Sequence, residues 1–301
     1  MISPGSVVST PDTQQVKGRE GKRGGKEDGL LTDQVKGFIE RISHGLAAVG
    51  VAPADRFDEA PPGHGPTAFI PDAKAVVVIG LPIVEGLMNL DRFMEGSGVI
   101  KEEDVYTDKA GTTKTWSPRQ ALRNHIERRG SHEIINIELQ TMSMYAAIFL
   151  ENAGFKSIYL PTTYGQTFSW PGNINRDLPR APQWFGPFSH RHAAVAAGLG
   201  RFGLSNLLLT PQHGPRNRFV SIITAAPLRS DPMIRGPLCL GENCSLCITN
   251  CVGRAFGEVH EFKVGGQVNR MARIDRDACL KGFDACYKKC MTVCPVGRKT
   301  V

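Results

Sequence analysis

Every cysteine of this chain lies between Cys239 and Cys294, and that crowding restricts what the sequence can fold into more than any other feature. The eight cysteines read Cys239-x4-Cys244-x2-Cys247-x3-Cys251 and then, after a basic and glycine-containing spacer, Cys279-x6-Cys286-x3-Cys290-x3-Cys294-Pro295. They make two sets of four. Disulfides call for an oxidising compartment, and with no secretory signal to read, clustered cysteines favour metal over bridges. Structural zinc sites with four cysteines also use short Cys-x2-Cys gaps, usually as two separated knuckles of two. Here three cysteines crowd into one tight winding.

That winding suits a cubane iron-sulfur cluster, which takes four thiolates. The closing Cys-x3-Cys-Pro resembles the end of a bacterial two-cluster ferredoxin motif, in which the fourth cysteine of each run crosses to the other cluster. The resemblance implies that Cys239, Cys244, Cys247 and Cys294 hold one 4Fe–4S cluster, and that Cys279, Cys286, Cys290 and Cys251 hold the second. The first run departs from the ferredoxin rule in its longer first gap and in Val252, which stands where proline is usual. Two zinc sites remain the rival reading.

At 301 residues the chain can bury a large core in one or two domains. Its longest apolar run, Ala75 to Ile83, is far shorter than the roughly twenty residues of a membrane span. With no export signal visible, the cytoplasm is the expected location. The formal charge of +7 fits an anionic cofactor or an acidic partner, and no recognition-helix or RNA-binding signature accompanies it. Nucleic acid is therefore not expected as a partner. Lys281, Lys288, Lys289, Arg298 and Lys299 surround the second cysteine run, where they can offset thiolate charge, dock an acidic electron donor or simply form a solvated basic face.

Residues 1–29 have the composition of a disordered tail. Apolar residues then recur at helical spacing from Leu30 to Val49, with Thr32 or Asp33 as a cap. The run Ala75-Val-Val-Val-Ile-Gly80 reads as a strand buried on both faces, which implies a parallel or mixed sheet. An irregular excursion is expected from Glu85 to Trp116. Helices are expected over Pro118–Arg128 and Glu133–Asn152, the second closed at Gly154, and a strand over Lys156–Leu160. This alternation argues for an α/β layer architecture. Residues 161–187 mix Tyr164, Phe168, Trp170, Trp184 and Phe185 with prolines, which suits either a ligand cover or a core-covering loop.

The next stretch reads Arg191-His192, then Ala197-Gly198-Leu199-Gly200-Arg201-Phe202-Gly203-Leu204-Ser205-Asn206, Thr210-Pro211-Gln212-His213-Gly214-Pro215-Arg216 and the strand Phe219–Thr224. Together with Gly63-His64-Gly65-Pro66 and Pro71–Gly80, it resembles the epoxyqueuosine reductase and reductive dehalogenase superfamily, where an AGLG-x-x-G turn and a Gly-Pro-Arg loop precede two ferredoxin-type clusters. The resemblance implies a nitroreductase-like α/β domain over 30–230 that binds cobalamin, followed by a small ferredoxin-like double-cluster domain over 231–301. It further implies cobalamin contacts from Gly198, Gly200, Gly203, Ser205, Asn206, His213 and Arg216, the last toward a phosphate. Packing alone could also explain the glycines.

In epoxyqueuosine reductases an acidic proton donor precedes the turn, but here the segment is Trp184-Phe-Gly-Pro-Phe-Ser-His190-Arg191, without a carboxylate. The Gly-Lys-Asn of that branch is replaced by Gly203-Leu204-Ser205-Asn206. Action on a tRNA nucleotide is accordingly not expected. A proton donor must come from Tyr164, His190, Tyr145 or His192, each of which could equally be an ordinary hydrogen-bonded residue. The expected activity is a reductase that passes electrons from a ferredoxin- or flavodoxin-type donor through both clusters to a corrinoid and a small organic substrate. A non-catalytic electron carrier without corrinoid is the alternative.

Overall fold

The computed structural model describes residues 24–90, 101, 103–162, 188–282, 286 and 288–298. The chain begins with helix α1 (Gly24–Ile42) and continues through strands β1 (Ala48–Pro53) and β2 (Ala75–Pro82) to the short helix α2 (Glu85–Met88). A hairpin of β3 (Asp104–Thr107) and β4 (Thr113–Trp116) leads into helix α3 (Pro118–Arg128), a π-helical turn at Arg129–Ile134, and helix α4 (Ile135–Asn152). Strand β5 (Ser157–Leu160), helix α5 (His190–Ala196), the two-residue strands β6 (Arg201–Phe202) and β7 (Leu208–Leu209), and β8 (Asn217–Thr224) complete the α/β unit.

The central sheet has the order β1-β2-β8-β5, and each neighbouring pair is antiparallel. This corrects the parallel or mixed sheet expected from the sequence. Side chains alternate across a strand, so β2 sends Val76 and Val78 to one core with Phe219, Ile223 and α5. Ala75, Val77 and Ile79 go to the other, with Val220, Ile222, and Val35 and Ile39 of α1 and Leu139 of α4. Helices cover both faces, so β2 is apolar on both sides although its neighbours run against it.

Two boundaries also differ. The expected helix over 30–49 overruns, because a left-handed turn at His44 and Gly45 ends α1 and the chain re-enters as the edge strand β1. Thr32 is not a cap: it is fully buried inside α1, donating to the Asp28 carbonyl and accepting from the Arg229 amide at 2.7 Å each. The expected helix at Pro118–Arg128 is observed, capped by Ser117, whose hydroxyl accepts from the Gln120 amide. Part of the expected tail and most of the aromatic segment 161–187 lie outside the described residues.

The C-terminal region is built around its cysteines. Helix α6 (Leu246–Thr249) carries Cys247, α7 (Arg276–Lys281) carries Cys279, and α8 (Lys289–Thr292) carries Cys290. The basic, glycine-containing spacer between the runs is a hairpin of β9 (Phe256–Val264) and β10 (Gln267–Ile274). It is tied to the α/β unit where the Ala272 amide donates to the Leu204 carbonyl, and where Phe262 packs on Phe202 with ring centroids 5.0 Å apart. The runs echo each other locally. A left-handed residue precedes each short helix (Ser245, φ 47°; Lys288, φ 52°), and another lies three positions after each fourth cysteine (Arg254 and Gly297). Among the described residues no helix is long and apolar enough to cross a membrane.

Candidate metal centre

Four cysteines from both ends of the motif line one small cavity. Cys239, Cys244, Cys247 and Cys294 surround it, with Leu240, Leu246 and Pro295 beside them and Leu204 and Leu209 closing it from the glycine turn. Burial, reinforced by Cys239 and Cys294, pushes the Cys247 thiol up to about 11, and burial raises Cys294 as well. The remaining cysteines form a second neighbourhood. The Cys290 thiol is pushed up to about 12 by burial and then by Cys286, Cys279, Cys247 and Cys251, and Cys279 rises through burial, Cys286 and Cys251. Thiols held this way stay protonated at neutral pH unless a cation takes the proton's place.

Among the described residues, no three His, Cys, Asp or Glu side chains converge as ligands of a single metal ion. Cys239, Cys244, Cys247 and Cys294 instead rim a space. The Ala255 amide lies 3.4 Å from the Cys251 sulfur as a donor, the kind of hydrogen bond that tunes a thiolate-ligated cluster. Four thiols around one apolar-rimmed space are the donor set a 4Fe–4S cluster takes, so the residues of the first centre fit the group.

Arg216 joins this centre to the sheet. Its guanidinium, 1% exposed, donates to the carbonyls of Met291 and Cys294 at 3.1 Å and of Val296 at 2.8 Å, and pairs with Glu85 at 3.3 Å. Backbone meets backbone next to it: a Cβ on Gly214 would lie 1.9 Å from the Val296 oxygen, and one on Gly297 would lie 2.2 Å from the Gly214 nitrogen.

No protein-family model and no curated protein matches the sequence. Among solved structures, a selenomethionine-labelled epoxyqueuosine reductase superposes with a TM-score of 0.51 at 16% identity, over 89% of this chain and 66% of that one. The catabolic reductive dehalogenase NpRdhA, in complex with 3-bromo-4-hydroxybenzoic acid, gives 0.54 at 17% over 90% of this chain and 32% of its own. A reductive dehalogenase structure that suggests a mechanism for B12-dependent dehalogenation gives 0.52 at 18% over 93% and 34%. This is the epoxyqueuosine reductase and reductive dehalogenase fold. The chain spans just under two thirds of the length of that epoxyqueuosine reductase and about a third of the dehalogenases.

Within this fold, the residues assigned to cobalamin are spent on internal contacts. A Cβ on Gly198 would strike the Pro232 oxygen at 2.1 Å, one on Gly200 the Leu209 oxygen at 2.3 Å, and one on Gly203 the Leu209 side chain at 2.9 Å. Ser205 is buried at the cysteine cavity, and Asn206 accepts from Arg191 through its side chain at 2.8 Å. His213 lies with its backbone against Gly297, and Arg216 holds carbonyls where a phosphate was expected. The contacts of these residues are with the protein's own backbone and side chains.

The expected proton donors are equally dispersed. His190 is buried and fully hydrogen-bonded: Nδ1 meets the Ser221 hydroxyl and Nε2 the Pro161 carbonyl, both at 2.9 Å, and burial lowers its pKa. It works as a rivet between α5, β8 and the chain after β5. His192 packs against Phe202 and Phe262 with Nδ1 on the Ser189 hydroxyl, and burial followed by Arg191 brings it down to about 4. Tyr145 is 47% exposed on the outer face of α4. Tyr164 lies outside the described residues. Sequence reasoning did not find Glu85, Glu127 or Ser131, which approach the cysteine runs only through the fold.

Proposed function

We propose that this chain is an iron-sulfur reductase that carries two 4Fe–4S clusters, one on Cys239, Cys244, Cys247 and Cys294 and the other on Cys251, Cys279, Cys286 and Cys290. One observation carries the reading: three cysteines of the first run and the last cysteine of the second line a single apolar cavity. When bound, such clusters supply one-electron transfer at low potential. The α/β unit contributes placement. Arg216 pins the carbonyls around Cys294, Leu204 and Leu209 keep water from the first centre, and α8 is set against α6, which brings the two cysteine neighbourhoods together.

A ferredoxin- or flavodoxin-type donor and a small organic substrate complete the proposal. The fold favours a reductase, while the glycine turn packs closely on Pro232 and Leu209. That commitment of the glycine turn favours a second reading, an electron-transfer protein without corrinoid. Metal and sulfide analysis of anaerobically purified protein, expressed with cobalamin supplied, tests both. About eight iron with matching sulfide is expected. One cobalt per chain selects the corrinoid reductase, its absence selects the electron carrier, and zinc in place of iron overturns both.

A further inference from the structure

Lys288 lies between Cys286 and Cys290 in a left-handed conformation at φ 52°, which a lysine adopts only where its surroundings hold it. Its side chain enters the α/β unit. The ammonium donates to Glu127 at 2.7 Å and to the Ser131 hydroxyl at 2.9 Å, and the two charged side chains are 11% and 10% exposed. The receiving site is built by the π-helical turn after α3, a device that often marks functional positions. Ser131, fully buried, donates to the Glu127 carbonyl at 2.7 Å and offers its own carbonyl to Arg218 Nε at 2.8 Å. Arg218 also donates to Asn136 Oδ1 and contacts His132.

A buried ion pair recovers its desolvation cost poorly, so stability is a weak reason for one at this place. Its position gives a better reason. Lys288 stands two positions from both Cys286 and Cys290, so its charge belongs to the winding that would hold the second cluster, and a cluster gains negative charge on reduction. An unbalanced buried cation there would favour the reduced state and raise the potential. Glu127 balances it.

We propose that Glu127 and Lys288 are positioning residues for the second cluster: they anchor the Cys286–Cys290 winding to α3, and Glu127 holds the cluster's potential low by neutralising Lys288. The proposal rests on the two-cluster reading above. Its test is an anaerobic dithionite titration, followed by electron paramagnetic resonance, of wild type, Glu127→Gln and the double variant Glu127→Gln with Lys288→Met. With about eight iron retained, Glu127→Gln shifts the second cluster to higher potential and leaves the first where it was. The double variant, again without net charge at the pair, returns it toward the wild-type value. Equal potentials in wild type and Glu127→Gln overturn the proposal, as does a double variant that keeps the shift. Loss of four iron in Glu127→Gln overturns the electrostatic role, because the carboxylate would then serve the second cluster only by anchoring the winding. Wild-type protein without iron would sink the cluster reading itself, a result distinct from these.

Discussion

The guanidinium of Arg216, immediately before the inner strand β8, donates to the backbone carbonyl of Cys294 at 3.1 Å. A cation expected to meet a ligand phosphate is instead the fastening between the α/β unit and the end of the cysteine motif. Replacing it with methionine leaves three carbonyls and Glu85 without their donor. The expected loss is about 2–4 kcal/mol of stability, read by chemical denaturation, together with loss of iron from the first centre. An Arg216→Met protein with wild-type midpoint and iron content would remove this role.

The fourth cysteines should report cluster sharing. Cys294→Ser is expected to abolish the same electron paramagnetic resonance signal as Cys247→Ser, although the two lie in different runs, while Cys251→Ser groups with Cys279→Ser. If Cys294→Ser matches Cys290→Ser instead, each run serves its own cluster.

Gly214 and Gly236 make a controlled pair, both left-handed at φ 55° and 76°. A Cβ at Gly236 meets open space, so Gly236→Ala costs only the backbone strain, about 1 kcal/mol. At Gly214 the same Cβ strikes the Val296 oxygen, so Gly214→Ala should cost clearly more and weaken the seating of Cys294. Denaturation midpoints of the two variants, measured side by side, decide this; equal losses would mean that the loops separate without penalty.

Acid should weaken the fold through its histidines. His190 and His192 both have lowered pKa values from burial, that of His192 near 4. Between the ordinary value of about 6.5 and the folded value, the unfolded chain binds the proton that the folded chain refuses, so stability rises with pH and is lost as pH falls through that window. For His192 the slope approaches about 1.4 kcal/mol per pH unit between 6.5 and 4. Unfolding followed from pH 7.5 to 5 should show a shallower dependence in His192→Gln than in wild type. Parallel curves would mean that His192 does not titrate differently on folding.

Much of the fold was legible wherever one face or one period dominated. The run from Ala75 announced a strand buried on both sides, and Pro118–Arg128 announced a helix, although its Ser117 cap emerged only in the structure. Strand direction was not legible, because burial on both faces is the same pattern whether neighbours run parallel or against it. The hairpin Phe256–Ile274 was missed because its strands carry mixed, half-exposed residues. The glycine turn was recognised as a region of close approach, but a sequence cannot say whether the approaching group is a ligand or, as here, the Pro232 and Leu209 backbone.

The sequence by itself determined the chemistry: eight thiols in two windings whose spacing suits four-thiolate clusters, within a chain apolar enough to build a layered α/β core. Only the tertiary structure decided who stands next to whom. Cys294 joins Cys239, Arg216 turns inward to the cysteine loop, and Glu127 meets Lys288, because these pairings depend on how β8 and α3 sit against the C-terminal region. Spacing along a chain governs local winding; contacts between distant segments are settled by burial and packing, which no short motif encodes.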